Sequence, residues 1–412
     1  MIANAEFARA KTKFVRWWNT EFPVEDILNA IDENTHLILL ASPNNPTGQL
    51  ASLEDIKRIR AAKPDAILVI DAVYALFANH DITAELLELE NTAVIRSFSK
   101  EYGSAGLRVG YVVSSNEEII AAIRTMLDPY AVAAASAHIV HTMWTRPDLQ
   151  QAIGTSINTI IENRDRLQDG MKSLDINHIN SFGNFVTAQF ASPEEADLVF
   201  HLLAGAEVGT KDFKTSKDNE VRSSLRFGVP AKAPNVERLL KILEACKRPE
   251  CIFVDKAAVR EGGMTEAQIQ DLVTQGYRVV AVAREGRPSP LFRLLGKNPG
   301  GDVSRDAGTV VGNDLRGIMR TMGVTKAWYL GPTPDSIREA HMVAENTKGQ
   351  SVVIPFGISS EGGDPEMLRA GAARVVGPGE FCAAVKMFPP ANTQPRLTGL
   401  RRWNWRAERR VG

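Results

Sequence analysis

Three short segments between residues 42 and 110 carry side chains that could act together on one small molecule. They are SPNNPTG at Ser42–Gly48, DAVY at Asp71–Tyr74, and SFSK at Ser97–Lys100, which is followed eight residues later by Arg108. A lysine amine can hold an aldehyde cofactor as a Schiff base. Hydroxyls and an arginine close to that lysine suit a phosphate dianion. The set therefore predicts a cofactor site centred on a nucleophilic amine.

The first two segments supply groups that such a cofactor needs around its ring. An aspartate at a strand end, Asp71, can keep a pyridine nitrogen protonated, which makes the ring an electron sink. Asn45 and Tyr74 can donate hydrogen bonds to the phenolate oxygen of the same ring. Each segment alone has a plain structural interpretation, since Asn-Pro-Thr-Gly is a good turn. It is the ordered set that indicates chemistry.

Alternating helix and strand patterns position these segments. The spacing predicts helices over 24–31 and 53–61, strands over 36–40 and 66–70, and two further strands over 93–95 and 109–113. This alternation indicates βαβ units and a mostly parallel sheet. In open parallel sheets, ligands bind beyond the carboxyl ends of the strands, and all three segments fall there.

The rest of the chain continues as α/β structure with a restart of the pattern near residue 248. Long helices are predicted over 116–173, broken near Pro129 and at Pro147, then a strand over 182–190 and a helix over 236–245. Beyond the restart, we predict strands over 251–254, 278–282, 327–330 and 351–355, helices over 266–275, 314–322 and 335–345, and a loop over 284–306. This second unit of about 130 residues is long enough for its own core.

Composition excludes several classes of protein. The 412 residues carry 48 Lys and Arg against 49 Asp and Glu, a net charge of −1 that argues against a dedicated nucleic-acid binder. Apolar runs stay below the ~18 residues of a membrane span, and the first residues lack a signal-peptide profile. Three cysteines are too few and too scattered for a disulfide framework or a zinc site: Cys246, Cys251 and Cys382. We expect a protein of the reducing cytoplasm, without a metal.

The three segments resemble fold-type I aminotransferases, which use pyridoxal 5'-phosphate, and above all histidinol-phosphate aminotransferase and its relatives. The likeness covers about residues 5–246 and includes Gly183-Asn184-Phe185 and LRFGV at Leu225–Val229. It implies a large-domain portion over 1–145, a small α+β domain with its connecting helix over 146–248, and a homodimer. The implied partners are a small-molecule amino donor and a keto acceptor.

Carried onto this sequence, the resemblance implies a role for each matching residue. Lys100 would bind the cofactor covalently and then move a proton as general acid and base. The implied cofactor and substrate contacts are Asp71 at the ring nitrogen, Asn45 and Tyr74 at the ring oxygen, Ser97, Ser99 and Arg108 at the phosphate, and Arg226 with Asn184 at the substrate.

Two features depart from that family. Its glycine-rich phosphate loop, which offers backbone N–H donors at a helix N-terminus, has no match, so we expect this chain to begin roughly a hundred residues late by that comparison. Lys211 stands at the nearest match to an arginine that helps to fix a substrate phosphate. A lysine is a point charge and not a fork, which leaves a histidinol-phosphate substrate open.

Residues 249–388 resemble a haloacid-dehalogenase-type phosphatase, a Rossmann-like α/β domain. Asp255 stands at the position of the nucleophile, but Ala257 occupies that of the general acid. Lys297 matches the motif lysine, and Asp335 alone remains of the magnesium motif. Because the metal needs several oxygen ligands and the leaving group needs a proton donor, we predict an inactive domain.

The tail over 389–412 holds six arginines and one glutamate, and it is either a partly disordered terminus or an anion-binding segment. The sequence as a whole predicts α/β structure throughout and a pyridoxal-phosphate-dependent aminotransferase. Two other functions stay open: a non-catalytic, dimerising binding protein, and a phosphatase in which the aminotransferase portion is a relic.

Overall fold

A computed structural model of the chain describes residues 10–18, 21–78, 81–128, 130–255, 258, 264–275, 277, 279–282, 297–298, 301–302, 315, 319, 324–346, 351–359, 364–370 and 372–388. The chain divides into two compact units, Met1–Ala196 with Lys211–Val236, and Asp197–Thr210 with Glu237–Gly412. Each unit has its own sheets and core. The domain boundaries at residues 145, 248 and 388 stay a prediction.

The first unit contains two sheets. The elements from residue 24 to residue 247 are, in chain order, α1 Val24–Ala30, β1 Leu37–Ala41, α2 Leu53–Ala62, β2 Ile67–Asp71, α3 Thr83–Leu87, β3 Thr92–Ser97, β4 Gly110–Ser114, α4 Glu117–Met126, α5 Ala134–Thr145, α6 Pro147–Ser173, β5 Asn177–Ile179, β6 Phe185–Gln189, α7 Pro193–Gly205, β7 Lys211–Asp212, α8 Asn219–Arg222, β8 Ser224–Gly228 and α9 Ala233–Lys247. The division between the units passes inside α7 and inside α9.

The four-stranded sheet has the order β1-β2-β3-β4, and its first three strands are parallel. The register aligns Ala41, Asp71 and Ile95, so the carboxyl ends of these strands lie level with one another. The predicted parallel sheet is confirmed for these strands, whereas β4 runs antiparallel to β3. The connection between β3 and β4 contains only a short 3₁₀ helix, Ala105–Leu107, and no crossover α-helix.

Alternation along the strands buries one face of this sheet. Ile38, Leu68 and Val94 point into a core that also contains Ile56 and Ile59 of α2. Ser52 begins α2 by accepting a hydrogen bond from the backbone N–H of Asp55, as expected of a serine N-cap. The sheet and α2 thus hold the carboxyl edge of the strands in a fixed position.

Proline and a local turn set the bounds of the later elements in the first unit. The predicted break at Pro147 is confirmed, since Pro147 is the first residue of α6, where its missing N–H costs no hydrogen bond. The predicted break near Pro129 falls on a residue outside those described. The strand predicted from residue 182 begins at Phe185, because the N–H of Gly183 donates to the Ser181 hydroxyl in a turn. The second sheet is antiparallel, in the order β5-β6-β8-β7.

The second unit is built on a five-stranded sheet. Its further elements are β9 Cys251–Asp255, α10 Glu266–Thr274, β10 Val279–Val282, β11 Lys297–Asn298, β12 Gly301–Asp302, β13 Lys326–Gly331, α11 Pro334–Asn346, β14 Val352–Ile358, α12 Pro365–Arg369, β15 Arg374–Val376 and α13 Pro378–Lys386. The sheet order is β10-β9-β13-β14-β15, and every pairing in it is parallel. All seven residues of β14 are buried, which is typical of a parallel strand covered on both faces.

Most predicted elements of the second unit are confirmed to within a few residues. Within the predicted loop, β11 and β12 form a short antiparallel ladder, and the other residues of 284–306 lie outside those described. Of the helix predicted over 314–322, Leu315 and Met319 are described, and both are buried. The basic tail over 389–412 is also outside the described residues. Among the helices that the structure describes, none combines the length and apolar character needed to cross a lipid bilayer.

Candidate active site at the carboxyl edge of the parallel strands

The structure brings the three chemistry-bearing segments to one edge of the first sheet. Ser42–Gly48 follows β1, Asp71 is the last residue of β2, and Lys100 follows β3 by three residues. Backbone hydrogen bonds join them, from the N–H of Ser42 to the carbonyl of Asp71 at 3.0 Å and from Ala72 to Ile95 at 3.0 Å. The strand alignment therefore gathers side chains that lie far apart in the sequence.

Lys100 is exposed and lies next to a buried aromatic ring. Its Nζ atom is 5.8 Å from the centroid of the Tyr74 ring, and Tyr74 is itself only 6% exposed. The next residue, Glu101, is buried and accepts a hydrogen bond from the backbone N–H of Leu76 at 2.7 Å. This bond ties the lysine turn to the segment that carries Tyr74.

Asn45 and Arg226 are joined directly, although 181 residues separate them. Arg226 Nη1 donates to Asn45 Oδ1 at 2.6 Å, and the guanidinium lies 5.1 Å from the centroid of the Phe185 ring. Phe185 in turn makes an edge contact with Tyr74, with ring centroids 5.2 Å apart. The contacts form a continuous path from Lys100 through Tyr74 and Phe185 to Arg226 and Asn45.

Asp71 and Tyr74 have altered acid-base properties. Burial raises the pKa of the Asp71 carboxyl, opposed by a hydrogen bond from the backbone N–H of Val73. Burial also raises the pKa of Tyr74, which the positive charge of Arg226 lowers and the negative charge of Asp71 raises further. A carboxyl with a raised pKa binds its proton more firmly, and it would gain from a cationic ring partner.

The three residues predicted to bind the phosphate, Ser97, Ser99 and Arg108, lie between the end of β3 and the start of β4. The backbone N–H of Ser99 donates to Ser97 Oγ at 3.1 Å, so the two serines share one turn. Arg108 is exposed, adopts a left-handed φ of 57°, and donates to the Ala105 carbonyl at 3.2 Å. The two serines thus lie on one turn, while the Arg108 guanidinium is bonded within its own turn.

A cavity of about 390 Å³ opens beside Lys100, and Asn184 also lines it. Much of its wall comes from α6, which Arg164 joins to the 3₁₀ helix Ala75–Phe77 after β2 by donating to the Phe77 carbonyl at 2.6 Å. The two residues predicted to meet cofactor and substrate, Lys100 and Asn184, therefore face one space. Its size is in the range of ligand sites.

The turn that carries Asn45 is held against the second sheet of the unit. Gly48 has a φ of 80°, and a Cβ at this position would lie 2.0 Å from Ser181 Oγ. The N–H of Phe182 donates to the Gly48 carbonyl at 2.7 Å, and the Thr187 hydroxyl donates to the Pro46 carbonyl. Only glycine combines this conformation with this close approach.

A buried charge cluster next to the lysine was not predicted from the sequence. Arg96 Nη2 lies 3.0 Å from Glu101 Oε2, and Arg96 Nη1 lies 2.6 Å from Asp81 Oδ2. Arg96 Nη1 also donates to the Thr83 hydroxyl at 2.8 Å. The sequence feature that could have predicted this cluster is the arginine at an inward-facing position of β3, since a buried cation requires partners.

Comparison with known proteins agrees with this geometry. The family model for aminotransferase class I and II matches residues 1–250 of the chain. The chain belongs to this family. Class I and II aminotransferases depend on pyridoxal 5'-phosphate.

Relatives within the family include histidinol-phosphate aminotransferases. The chain is 35% identical over 195 residues to histidinol-phosphate aminotransferase 2 of Legionella pneumophila (strain Paris), covering 45% of this chain and 50% of that protein. It is 30% identical over 250 residues to the histidinol-phosphate aminotransferase of Methanocaldococcus jannaschii, covering 58% and 64%. The chain thus spans about half to two thirds of the length of these relatives.

A solved structure has the same fold. The histidinol-phosphate aminotransferase of Clostridium acetobutylicum superposes with a TM-score of 0.52 at 18% sequence identity, covering 59% of this chain and 73% of that one. This similarity supports the mixed α/β fold of the aminotransferases for the matched part of the chain.

In the second unit, the structure places two of the three predicted phosphatase residues at one sheet edge. Asp255 ends β9, is 1% exposed, and accepts a hydrogen bond from the Tyr329 hydroxyl at 2.8 Å. Asp335, in the first turn of α11, is exposed and paired with Arg338. Lys297 lies in β11, and its side chain is outside those described. Among the described residues, no group of three His, Cys, Asp or Glu side chains could hold a metal ion.

Proposed function

We propose that this chain acts as a pyridoxal-phosphate-dependent aminotransferase of the histidinol-phosphate aminotransferase type. It would transfer an amino group between an amino acid and a keto acid or keto phosphate. The observation that carries this proposal is the path of contacts from Lys100 through Tyr74 to Arg226 and Asn45, at the sheet edge where Asp71 also lies.

The hydrogen-bonding and charged side chains at this sheet edge fit pyridoxal phosphate. Ser97 and Ser99 offer adjacent hydroxyls for a phosphate, and Arg108 offers an exposed cation on the same connection. Asp71, with its raised pKa, is suited to hold a proton shared with a ring nitrogen. When bound, pyridoxal phosphate supplies an aldehyde that condenses with amines and a ring that accepts electrons.

The chain's own residues would bind the substrate and move its protons. The Arg226 guanidinium offers a planar fork for the α-carboxylate of an amino acid, and Asn45 Oδ1 orients that fork. The Lys100 amine would act as the general base that takes the proton from the substrate Cα. Asn45 and Tyr74 would donate to the ring oxygen.

Assembly and location follow from the same proposal. The partners are one small-molecule amino donor and one keto acceptor, and we expect a homodimer. A cytoplasmic location is supported by Cys246, Cys251 and Cys382, which are buried and form no disulfide.

For the second unit we propose a haloacid-dehalogenase-type frame without phosphatase activity. Its support is the parallel sheet together with Asp255, whose carboxylate is buried and bonded to Tyr329. We expect Asp255→Asn to leave hydrolysis of p-nitrophenyl phosphate with added Mg²⁺ at the level of the buffer, as in the parent chain. Hydrolysis that Asp255→Asn abolishes would favour the phosphatase function instead.

Borohydride trapping tests the aminotransferase proposal. The purified chain is mixed with pyridoxal phosphate, its visible absorbance is recorded, and the mixture is reduced and mapped by mass spectrometry. We expect a yellow species and a reduced adduct on Lys100, absent from Lys100→Ala and retained in Lys57→Ala. Lys57 is an exposed lysine of α2 and serves as the matched control. Free cofactor without an adduct at Lys100 would reject the proposal and favour a non-catalytic, dimerising protein.

A further inference from the structure

The residue next to Lys100 links the lysine turn to the segment that carries Tyr74. Glu101 is buried, and its two carboxylate oxygens accept hydrogen bonds from two different segments. Its Oε1 atom accepts from the backbone N–H of Leu76 at 2.7 Å, and its Oε2 atom accepts from Arg96 Nη2 at 3.0 Å. Leu76 comes two positions after Tyr74, and Glu101 comes directly after Lys100. One side chain therefore bridges the backbone at both functional groups.

The N–H of Leu76 lies where a helix needs an external acceptor. Leu76 is the second residue of the 3₁₀ helix Ala75–Phe77, and Tyr74 is the N-cap residue of this helix. The N–H groups of a first helical turn find no carbonyl partner within the helix. The bond to Glu101 therefore fixes the start of this helix, and with it the backbone of Tyr74.

Arg96 connects the bridge to the sheet. Its Nη1 atom donates to Asp81 Oδ2 at 2.6 Å and to the Thr83 hydroxyl at 2.8 Å, so the guanidinium is held on both sides. Its backbone belongs to β3, which pairs with β2 on one side and with β4 on the other. Glu101 is thus bonded to a part of the first unit that has little freedom to move.

The proposed cofactor requires Lys100 and Tyr74 to keep a defined separation. On a pyridoxal ring, the aldehyde that reacts with a lysine and the phenolic oxygen are substituents of adjacent carbons. Lysine carries its amine on a flexible four-carbon stem, so the position of the backbone determines which atoms the amine can reach. Here Lys100 Nζ lies 5.8 Å from the centroid of the Tyr74 ring. A misplacement of about 1 Å at a reacting group can cost about a hundredfold in rate.

We propose that Glu101 is a positioning residue for the transamination, because it holds Lys100 and Tyr74 at the separation at which both can meet the cofactor. The inference rests on the proposed function for the reaction itself. The separation, however, is a property of the chain without cofactor, and it can be measured in that state. A residue with a structural role alone would affect Lys100 only through the loss of folded protein.

NMR of the full chain without cofactor tests the separation. The lysines are reductively methylated with isotope-labelled formaldehyde, the Lys100 signal is assigned by its absence from Lys100→Arg, and the ring-current shift from Tyr74 is identified by its loss in Tyr74→Leu. We expect this shift in the parent chain, its loss in Glu101→Ala, and its return in Glu101→Gln, which keeps an acceptor for the N–H of Leu76. A shift that is absent from the parent chain or unchanged in Glu101→Ala would overturn the inference.

A double variant separates position from stability. Arg96→Met combined with Glu101→Met replaces the buried ion pair by apolar side chains, a change that is often neutral for stability. Its Tm should lie closer to that of the parent chain than the Tm of Glu101→Ala does. The ring-current shift should still be lost, because the N–H of Leu76 has no acceptor. A double variant that regains both the Tm and the shift would show a structural role alone. This variant also serves if Glu101→Ala fails to fold by circular dichroism.

The matched control lowers stability without touching the bridge. Ile56 is fully buried in the core beneath α2, so Ile56→Ala leaves a cavity there. We expect Ile56→Ala to lower the Tm and to keep the ring-current shift of Lys100. Loss of the shift in Ile56→Ala would contradict a specific effect of Glu101.

Borohydride trapping distinguishes failure of this inference from failure of the aminotransferase proposal. At equal concentrations of pyridoxal phosphate, the initial rate of adduct formation on Lys100 should fall at least about tenfold in Glu101→Ala and in the double variant, and stay within about threefold in Glu101→Gln and Ile56→Ala. An adduct that forms equally fast in the parent chain and in Glu101→Ala would reject only the positioning role. The expected pattern of ring-current shifts without an adduct in the parent chain would reject only the transaminase.

Discussion

Removal of the Glu101 carboxylate tests whether the buried charge cluster holds the lysine turn in place. The side chain of Glu101 is 0% exposed and that of Arg96 is 5% exposed, with 3.0 Å between Arg96 Nη2 and Glu101 Oε2. Glu101→Gln keeps the shape and the acceptor for the N–H of Leu76 but leaves the Arg96 cation paired only with Asp81. Asp81 is itself 30% exposed.

The size of the effect follows from these contacts. Breaking a buried ion pair on one side costs about 3–5 kcal/mol, and the remaining pair with Asp81 reduces this, so we expect Glu101→Gln to lower the free energy of unfolding by about 2 kcal/mol. Glu101→Ala also leaves the N–H of Leu76 without its acceptor, which adds about 1 kcal/mol or more. For a unit of this size, 1 kcal/mol corresponds to a Tm change of about 2–4 °C.

The assay must report on the first unit alone. Urea titration combined with hydrogen exchange and mass spectrometry follows peptides that contain residues 74–77 and 97–104. The N–H of Leu76 should exchange faster in Glu101→Ala than in Glu101→Gln. Glu33→Gln, at an exposed carboxylate, is the matched control and should change stability by less than about 0.5 kcal/mol. A loss in Glu101→Gln no larger than that in Glu33→Gln would refute the reasoning, because the buried pair would then contribute no net stability.

Four further substitutions test the geometry of the site. Burial raises the pKa of Asp71, so the stability of the cofactor-free chain is greatest below the ordinary pKa of Asp71 and falls as the pH rises through the raised pKa. Asp71→Asn should remove this decline and raise the Tm at pH 7. A Tm–pH profile that Asp71→Asn leaves unchanged would contradict this expectation. Arg226→Lys keeps the charge but loses the fork, and should weaken calorimetric binding of an amino acid through its α-carboxylate about tenfold. Arg108→Gln should weaken pyridoxal phosphate binding by about tenfold or more in an absorbance titration, and an unchanged affinity would remove Arg108 from the phosphate site. Gly48→Ala forces a Cβ to within 2.0 Å of the Ser181 hydroxyl at a φ of 80° and should cost about 2 kcal/mol or more in urea unfolding.

Local sequence patterns were sufficient to predict the elements of the first sheet. The strands predicted over 36–40 and 66–70 and the helix predicted over 53–61 reflect short-range preferences, and β1, β2 and α2 lie within one residue of these bounds. The common sheet edge followed because parallel strands align their carboxyl ends. The antiparallel direction of β4 could not be predicted, because it depends on the path of the connection and not on the pattern within the strand.

The contacts across the site could be identified only from the folded structure. The hydrogen bond between Arg226 and Asn45 joins residues 181 positions apart, and periodicity in either segment contains no information about it. The ion pairs of the Arg96–Glu101–Asp81 cluster could not be predicted either, because charged residues usually lie on the surface and only the fold shows that these are buried together.

The contacts between the Asn45 turn and residues 181–187 determine when the site can form during folding. Gly48 and Phe182, like Pro46 and Thr187, are joined across more than a hundred residues of chain. Contacts of such sequence separation form late, because closing a long loop must precede any gain from the contact. Strands β1 to β3 can pair with Asn45 and Arg226 still apart. The hydrogen bond between Arg226 and Asn45 would therefore form in the last step of assembly, and a proteolytic cut between the two segments would separate sheet formation from formation of this contact.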